Sequence, residues 1–338
     1  MAWYFVASLA LSALFTYVVK GIAARRQIVD RPDAARKQHP APVPLWGGLA
    51  IWLSFWLPTV YLLWRPLLGV ELVAGKLWAA LLASAIIIVL GAIDDIKPLS
   101  IRRRLAVTAV AAGGAVVLGL GLERINVPGG VWLLPSAVGG GIVFSWLMGM
   151  MYTTKILDGL DGLATGIVTI GALAIFLFTQ TARYYQPNVA LLALILAGSC
   201  LGFLVWNFYP AKIFLGEAGS LFIGFMLGVL AVISGGKLAI AALVMAVPGL
   251  DLLRVIWRRH QRGQSIFQGD REHLHFQLVD RGFSVRQAVF LLYAIAAALG
   301  AFTLFLQSQG KVALLLVVVI LMALVGWRLE RTKPVASS

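Results

Sequence analysis

"VALLALILAGSCLGFLVW", from Val189 to Trp206, runs for eighteen residues without a charge. A helix of about 20 apolar residues crosses a hydrocarbon core of roughly 30 Å with its backbone hydrogen bonds satisfied internally. The run lacks the polar–apolar alternation of a barrel strand. Similar runs recur on both sides, giving eleven candidate spans near residues 1–20, 45–64, 76–93, 105–122, 131–151, 161–180, 188–206, 214–234, 237–256, 287–306 and 311–328. Only 12% of the 338 residues are charged and 60% are hydrophobic, whereas soluble domains carry roughly 25% charged residues. The chain therefore reads as an all-α, polytopic membrane bundle forming one domain over residues 1–338. Its single cysteine, Cys200, excludes an intrachain disulfide and reads as a small buried hydrophobe.

The first segment has its basic residues, Lys20, Arg25 and Arg26, after the apolar stretch, which predicts an uncleaved helix with the N-terminus outside. With eleven spans the C-terminus is then cytoplasmic. Only Arg65, Lys76, Arg124, Arg183, Lys237 and Lys311 fall on the outer side, leaving 22 of 28 Lys and Arg inside. This satisfies the positive-inside rule, so the basic balance belongs to the membrane surface and not to a nucleic-acid partner. Twelve of the 14 carboxylates and all four histidines share the inner side. Chemistry is expected there, in loops near 21–44, 94–104, 152–161, 207–220 and 257–286.

Five stretches carry that chemistry. "VDRPDAARKQHPAPVPLWGG" (Val29–Gly48) reads as a basic juxtamembrane loop or a lipid-headgroup site. "GAIDDIKPLSIRRR" (Gly91–Arg104) puts Asp94 and Asp95 at a helix C-terminus, where they repel each other and oppose the macrodipole. A divalent cation, use as a base, or pairing with Arg102–Arg104 would compensate. In "KILDGLDGLATG" (Lys155–Gly166), a helix beginning near Asp158 would place Asp158 and Asp161 on one face, with one of them free to cap. Two acids, flanking glycines and a lysine exceed what a cap needs and suit phosphate and Mg²⁺. "NFYPAKIFLGEAGSLFIG" (Asn207–Gly224) repeats the theme with Glu217, and Ser220 could cap. The fifth, Asp251 to Arg286, joins arginines to "DREHLH"; as a plain solvated segment it would be ordinary. His273 and His275 do not share a helix face and have no cysteine cluster, which argues against zinc and for a clamp on a diphosphate. No Walker or dinucleotide motif is present. The set favours phosphoryl transfer between a soluble nucleotide and a lipid acceptor.

In this order the stretches resemble the polyprenyl-phosphate N-acetylhexosamine-1-phosphate transferase family, which includes the WecA, TagO and MraY enzymes. The resemblance spans nearly the whole chain; "HLHF" (His273–Phe276), lacking a triple histidine, leans towards the WecA/TagO branch. It implies that undecaprenyl phosphate attacks the β-phosphorus of a UDP-N-acetylhexosamine, giving a lipid-diphosphate sugar and UMP with Mg²⁺, or with Mn²⁺ in its place. It implies Asp94, Asp95, Asp158 and Asp161 as catalytic and Glu217, Asp95 and Asp158 as metal ligands. Substrate contacts would come from Lys155, Arg102, Arg104, Arg271, His273, His275, Asp30 and His39. Two positions depart from the family pattern: Lys155 replaces a frequent asparagine, and Glu217 replaces an aspartate.

Three other readings stay open: an MraY-type phospho-MurNAc-pentapeptide transferase, separated by its donor; a binding relative without activity; and a transporter, which would place its acids near the bilayer midplane with repeat symmetry. The hexosamine and the oligomeric state, a homodimer included, are not fixed by sequence.

Overall fold

The computed structural model describes residues 1–32, 41–64, 71–127, 130–235, 237–265 and 271–331. Among them run α1 (Ala2–Arg25), α2 (Gly47–Trp64), α3 (Glu71–Ile96), α4 (Ile101–Val117), α5 (Ser136–Leu157), α6 (Leu163–Gln180) and α7 (Pro187–Asn207). There follow α8 (Gly216–Ile233), α9 (Leu238–Val244), α10 (Ala246–Gln261), α11 (Leu274–Asp280), α12 (Val285–Phe305) and α13 (Ser308–Arg331). Eight of these helices are long and apolar enough to cross a membrane, or nine if the bent pair α9 and α10 counts as one. The other two expected spans fall on α4, which opens with three arginines, and on α5, which ends in "TTKIL".

Helix α8 is the centre, packed by α2, α3, α5 and α6, and its apolar window is 83% buried against 17% for α1 and α13. The outer helices are inside-out relative to a soluble protein. On α1 the buried face is Ser8, Ser12 and Thr16, while Trp3, Val6, Leu14 and Tyr17 are exposed. Lipid tails are as apolar as leucine, so small residues and interhelical hydrogen bonds hold the helices together. Ser12 Oγ donates to the Ser199 carbonyl at 2.6 Å, Trp56 Nε1 to Ser84 Oγ at 3.0 Å, and Thr154 Oγ1 to the Ser220 carbonyl at 2.7 Å.

Three expectations are corrected. The stretch 124–133 adds a strand pair, β3 (Arg124–Val127) with β4 (Gly130–Leu133), so the span expected from residue 131 begins at Ser136. Its sequence, "RINVPGGVWL", flanks a turn signal with β-branched and aromatic residues. A second short ladder pairs β1 (Val29–Asp30) with β2 (Val43–Pro44). The span expected over 237–256 is broken by 72° between α9 and α10. Pro248 has no N–H for the Val244 carbonyl and its ring opposes a continuous helix there, so the chain restarts at Ala246. Finally, no helix begins at Asp158: α5 continues to Leu157, Asp158 is its C-cap, and Gly162 (φ +78°) turns the chain into α6. Neither aspartate side chain caps a helix, because two Asp-Gly pairs make this a turn.

The core depends on close backbone approach. A Cβ on Gly48 would stand 3.0 Å from the Ala218 carbonyl carbon and nearer still to the Gly219 backbone, where α2 meets α8. Gly113 on α4 faces open space. Gly48→Val should therefore lower the unfolding midpoint in detergent or abolish folding, overpacking of this kind costing about 1–3 kcal/mol or more. Gly113→Ala should be neutral or stabilising by up to about 1 kcal/mol. Equal midpoints for the two variants would contradict this packing.

Candidate active site

The C-terminal ends of α3, α5 and α7 and the N-terminal ends of α4, α6 and α8 meet at one end of the bundle, joined by direct bonds. Asp94 is buried; its Oδ1 accepts from Arg104 Nε at 2.9 Å and from the Leu99 N–H at 2.6 Å. This is the arginine pairing that the sequence left open, and it offsets the unfavourable helix-end placement. Asp95 is stabilised differently: its Oδ1 accepts from the Glu217 N–H at 2.9 Å. Glu217 lies in the first turn of α8, where backbone N–H groups have no partner within the helix and the dipole favours an anion. Gly216, at φ +77°, makes this approach feasible, since a Cβ there would run into the Asp95 carboxylate. The other oxygen, Asp95 Oδ2, is buried without a hydrogen-bond partner.

Lys155, in the last turn of α5, bonds through Nζ to Glu217 Oε1. Arg104 Nη1 stands 3.9 Å from Glu217 Oε2. The two departures from the family pattern, 62 residues apart in sequence, are thus partners in one ion pair. Asp158 is half-buried; loss of hydration and the charges of Asp95, Glu217 and Asp161 push its pKa well above the usual carboxylate range. Asp161 Oδ2 accepts from the Ala211 N–H at 2.9 Å. Ser220 Oγ donates back to the Gly216 carbonyl at 3.1 Å and does not cap α8.

The histidine segment lies against the same turn. A Cβ on Gly159 would be 2.5 Å from His275 Nε2 and 2.6 Å from the Phe276 ring. His275 is buried, its Nε2 has no partner, and burial followed by the nearby charges of His273 and Arg271 holds its pKa down to about 3, so it is neutral at physiological pH. His273 is oriented by Asp251 through an Nδ1–Oδ2 contact of 2.9 Å, and Asp251 also holds Arg254 Nη2 at 2.7 Å and the Leu274 N–H at 3.0 Å. Arg271 pairs with Asp280 at 2.6 Å and lies over Phe276. Arg102 is exposed on the first turn of α4 and makes no ion pair among the described residues, in contrast to Arg104. Asp30 sits on β1, whose partner β2 is tied to the residues before α8 by the Phe214 N–H to the Pro44 carbonyl at 2.8 Å. His39 lies outside the described residues.

Three organising residues escaped the sequence reading. Asp251 was visible as an acid followed by an arginine at i+3 in a mostly apolar helix start. Asn207 closes the site floor, accepting from the Gly162 N–H at 3.1 Å and donating to the Ile213 carbonyl at 3.0 Å. Tyr293 Oη donates to the Gly162 carbonyl at 2.6 Å, and nothing in its local sequence marked it.

Among the described residues no three His, Cys, Asp or Glu side chains form a ready-made metal cage. Mg²⁺ commonly takes one or two carboxylates and completes its shell with water and substrate phosphate. The unpartnered Asp95 Oδ2, within electrostatic reach of Asp158, fits that smaller requirement.

Glycosyl transferase family 4 matches residues 77–235, a segment that holds Asp94, Asp95, Asp158, Asp161 and Glu217. The chain is also 33% identical, over 90% of its length and 85% of the relative's, to the decaprenyl-phosphate N-acetylglucosaminephosphotransferase of Mycobacterium leprae (strain TN). The chain belongs to this family. It is 28% identical to the undecaprenyl-phosphate alpha-N-acetylglucosaminyl 1-phosphate transferase of Yersinia pestis, over 85% of this chain and 79% of that one. The Escherichia coli (strain K12) protein of the same name is 26% identical over 85% of this chain and 78% of its own. The Asp251–His273–His275 group lies beyond the family match, with His275 against Gly159 inside it.

The raised pKa of Asp158 has a stability consequence. The folded, ligand-free protein holds this proton more tightly than the unfolded chain, so ionisation costs stability as pH rises through the folded value. Asp158→Asn should raise the unfolding midpoint at pH 8 by on the order of 2–4 °C, the shift expected for about 1 kcal/mol. The gain should shrink towards pH 5 as the wild type takes up its proton. A lower midpoint at pH 8, or a gain independent of pH, would contradict the assigned electrostatics.

Proposed function

We propose that this chain transfers N-acetylglucosamine 1-phosphate from a UDP-sugar to a polyprenyl phosphate, with the carboxylate end of the bundle at the cytoplasmic face of the cytoplasmic membrane. An oxygen of the lipid phosphate attacks the β-phosphorus of the donor. The bond from that phosphorus to the bridging oxygen breaks, and UMP leaves with the bridging oxygen. The observation that carries the reading is Asp95 Oδ2, a buried carboxylate oxygen with no partner, at the edge of the apolar bundle and within electrostatic reach of Asp158.

The roles follow from how each group is held. Asp94 is committed to Arg104 and the Leu99 N–H, so it fixes the α3–α4 turn and presents Arg104 to the site. Asp95 keeps an oxygen for the reacting phosphates, and Asp158 lies within its electrostatic reach. Asp95 and Asp158 would hold Mg²⁺, which supplies neutralisation of the diphosphate charge as the leaving group departs. Arg104 and Lys155 add fixed positive charge around Glu217. Neutral His275 sits against the Asp158 turn with Asp251-oriented His273 stacked beside it, and the two bind the donor by hydrogen bonds. The surrounding apolar helices bring the lipid acceptor to the site within the membrane plane. The relatives named for this reaction and the 22 basic residues expected on the inner side support the reading.

Purified protein given undecaprenyl phosphate, UDP-N-acetylglucosamine and Mg²⁺ should release UMP and form a lipid-linked sugar. Each of the three should be required. Asp95→Asn should lower turnover by about 100-fold or more while the unfolding midpoint is kept. Turnover retained in that variant, or UMP released without lipid, would overturn the assignment.

A further inference from the structure

Three carboxylates, Asp95, Asp158 and Glu217, lie near enough to act on one another, yet they are not equally available. Asp95 Oδ2 is unpartnered. Glu217 alone has a cation on each oxygen, with Lys155 Nζ bonded to Oε1 and Arg104 Nη1 at 3.9 Å from Oε2. The pair is sheltered, with Glu217 13% and Lys155 26% exposed, so it is screened less than a surface pair. Both ends are fixed: Glu217 by the first turn of α8 locked onto Asp95, and Lys155 by the last turn of α5, where the helix dipole favours a cation. The Lys155 ammonium also stands over the Tyr152 ring, 5.7 Å from its centroid.

We propose that Lys155 is a resident cation of the site. Its ammonium occupies Glu217, leaves a divalent ion only Asp95 and Asp158, and so sets the affinity for that ion below what three carboxylates would give. This rests on the metal-assisted reading of the site for the identity of the ion. It differs from the direct use of Glu217 as a ligand. A divalent ion entering this site meets a site already partly neutralised, and its hold is weak until donor phosphates add ligands. Lys155 thereby couples metal binding to donor binding.

The test uses the full-length protein in detergent and Mn²⁺ as the probe, with bound and free ion separated by electron paramagnetic resonance and no substrate present. Lys155→Met removes the ammonium from Glu217 Oε1 and should tighten Mn²⁺ binding by about tenfold or more, given the Coulomb energy of a third nearby carboxylate. Adding Glu217→Gln to that variant should return the affinity to about the wild-type value. Lys155→Arg keeps the cation and should stay near wild type. If Lys155→Met does not fold, Lys155→Gln serves in its place. Affinity unchanged or weakened on neutralising Lys155, a gain that survives Glu217→Gln, or no Mn²⁺ bound by any variant would each overturn the proposal. The transferase reading is judged separately, by UMP release from the wild type, so its failure is distinguishable from the failure of this one.

Discussion

The carboxylate of Asp95 against the N-terminus of α8 is the contact on which the rest of the site depends. It sets a buried anion at the C-terminal end of one apolar helix, where the dipole is adverse, and offsets that cost with the free N–H groups and favourable dipole of another. The geometry needs Gly216 at positive φ. It also needs α8 in close contact with α2 and α3, which Gly48 and the Ala218–Gly219 backbone permit. Once α8 is so placed, Glu217 faces Lys155 and Arg104.

Charge at a membrane edge is costly unless paired, and this bundle end answers in graded ways. Asp94 is closed off by an arginine and a backbone donor. Asp251 is shared among Arg254, His273 and the Leu274 N–H. Glu217 has cations on both sides. Asp95 and Asp158 are left under-compensated, one with an orphan oxygen and the other with a raised pKa.

Hydropathy made the helices legible because lipid exposure forces apolar faces outward, and each of the eleven expected segments is largely helical. The strand pair at 124–133 and the break at Met245 were written in local chemistry, a Pro-Gly-Gly turn signal and Pro248, but an apolar average hides them. The turn at Asp158–Gly162 was mistaken for a helix start because acids favour helix N-termini; two Asp-Gly pairs outweighed that preference. Site residue types were also legible, as acids and glycines recurring at helix ends. Their pairing was not. Lys155 and Glu217 are 62 residues apart, and only the packing of α5 on α8 shows that the two unusual positions answer each other. Asp251, Asn207 and Tyr293 act through long-range bonds for which no short motif exists.

The most direct measurement is the anomalous scattering of Mn²⁺ in crystals of the protein grown with a non-transferable UDP-N-acetylglucosamine analogue. The account predicts one ion on Asp95 and Asp158, completed by diphosphate oxygens, with Glu217 still on Lys155. An ion bound directly by Glu217 with Lys155 displaced, or an ion away from Asp95, would contradict it.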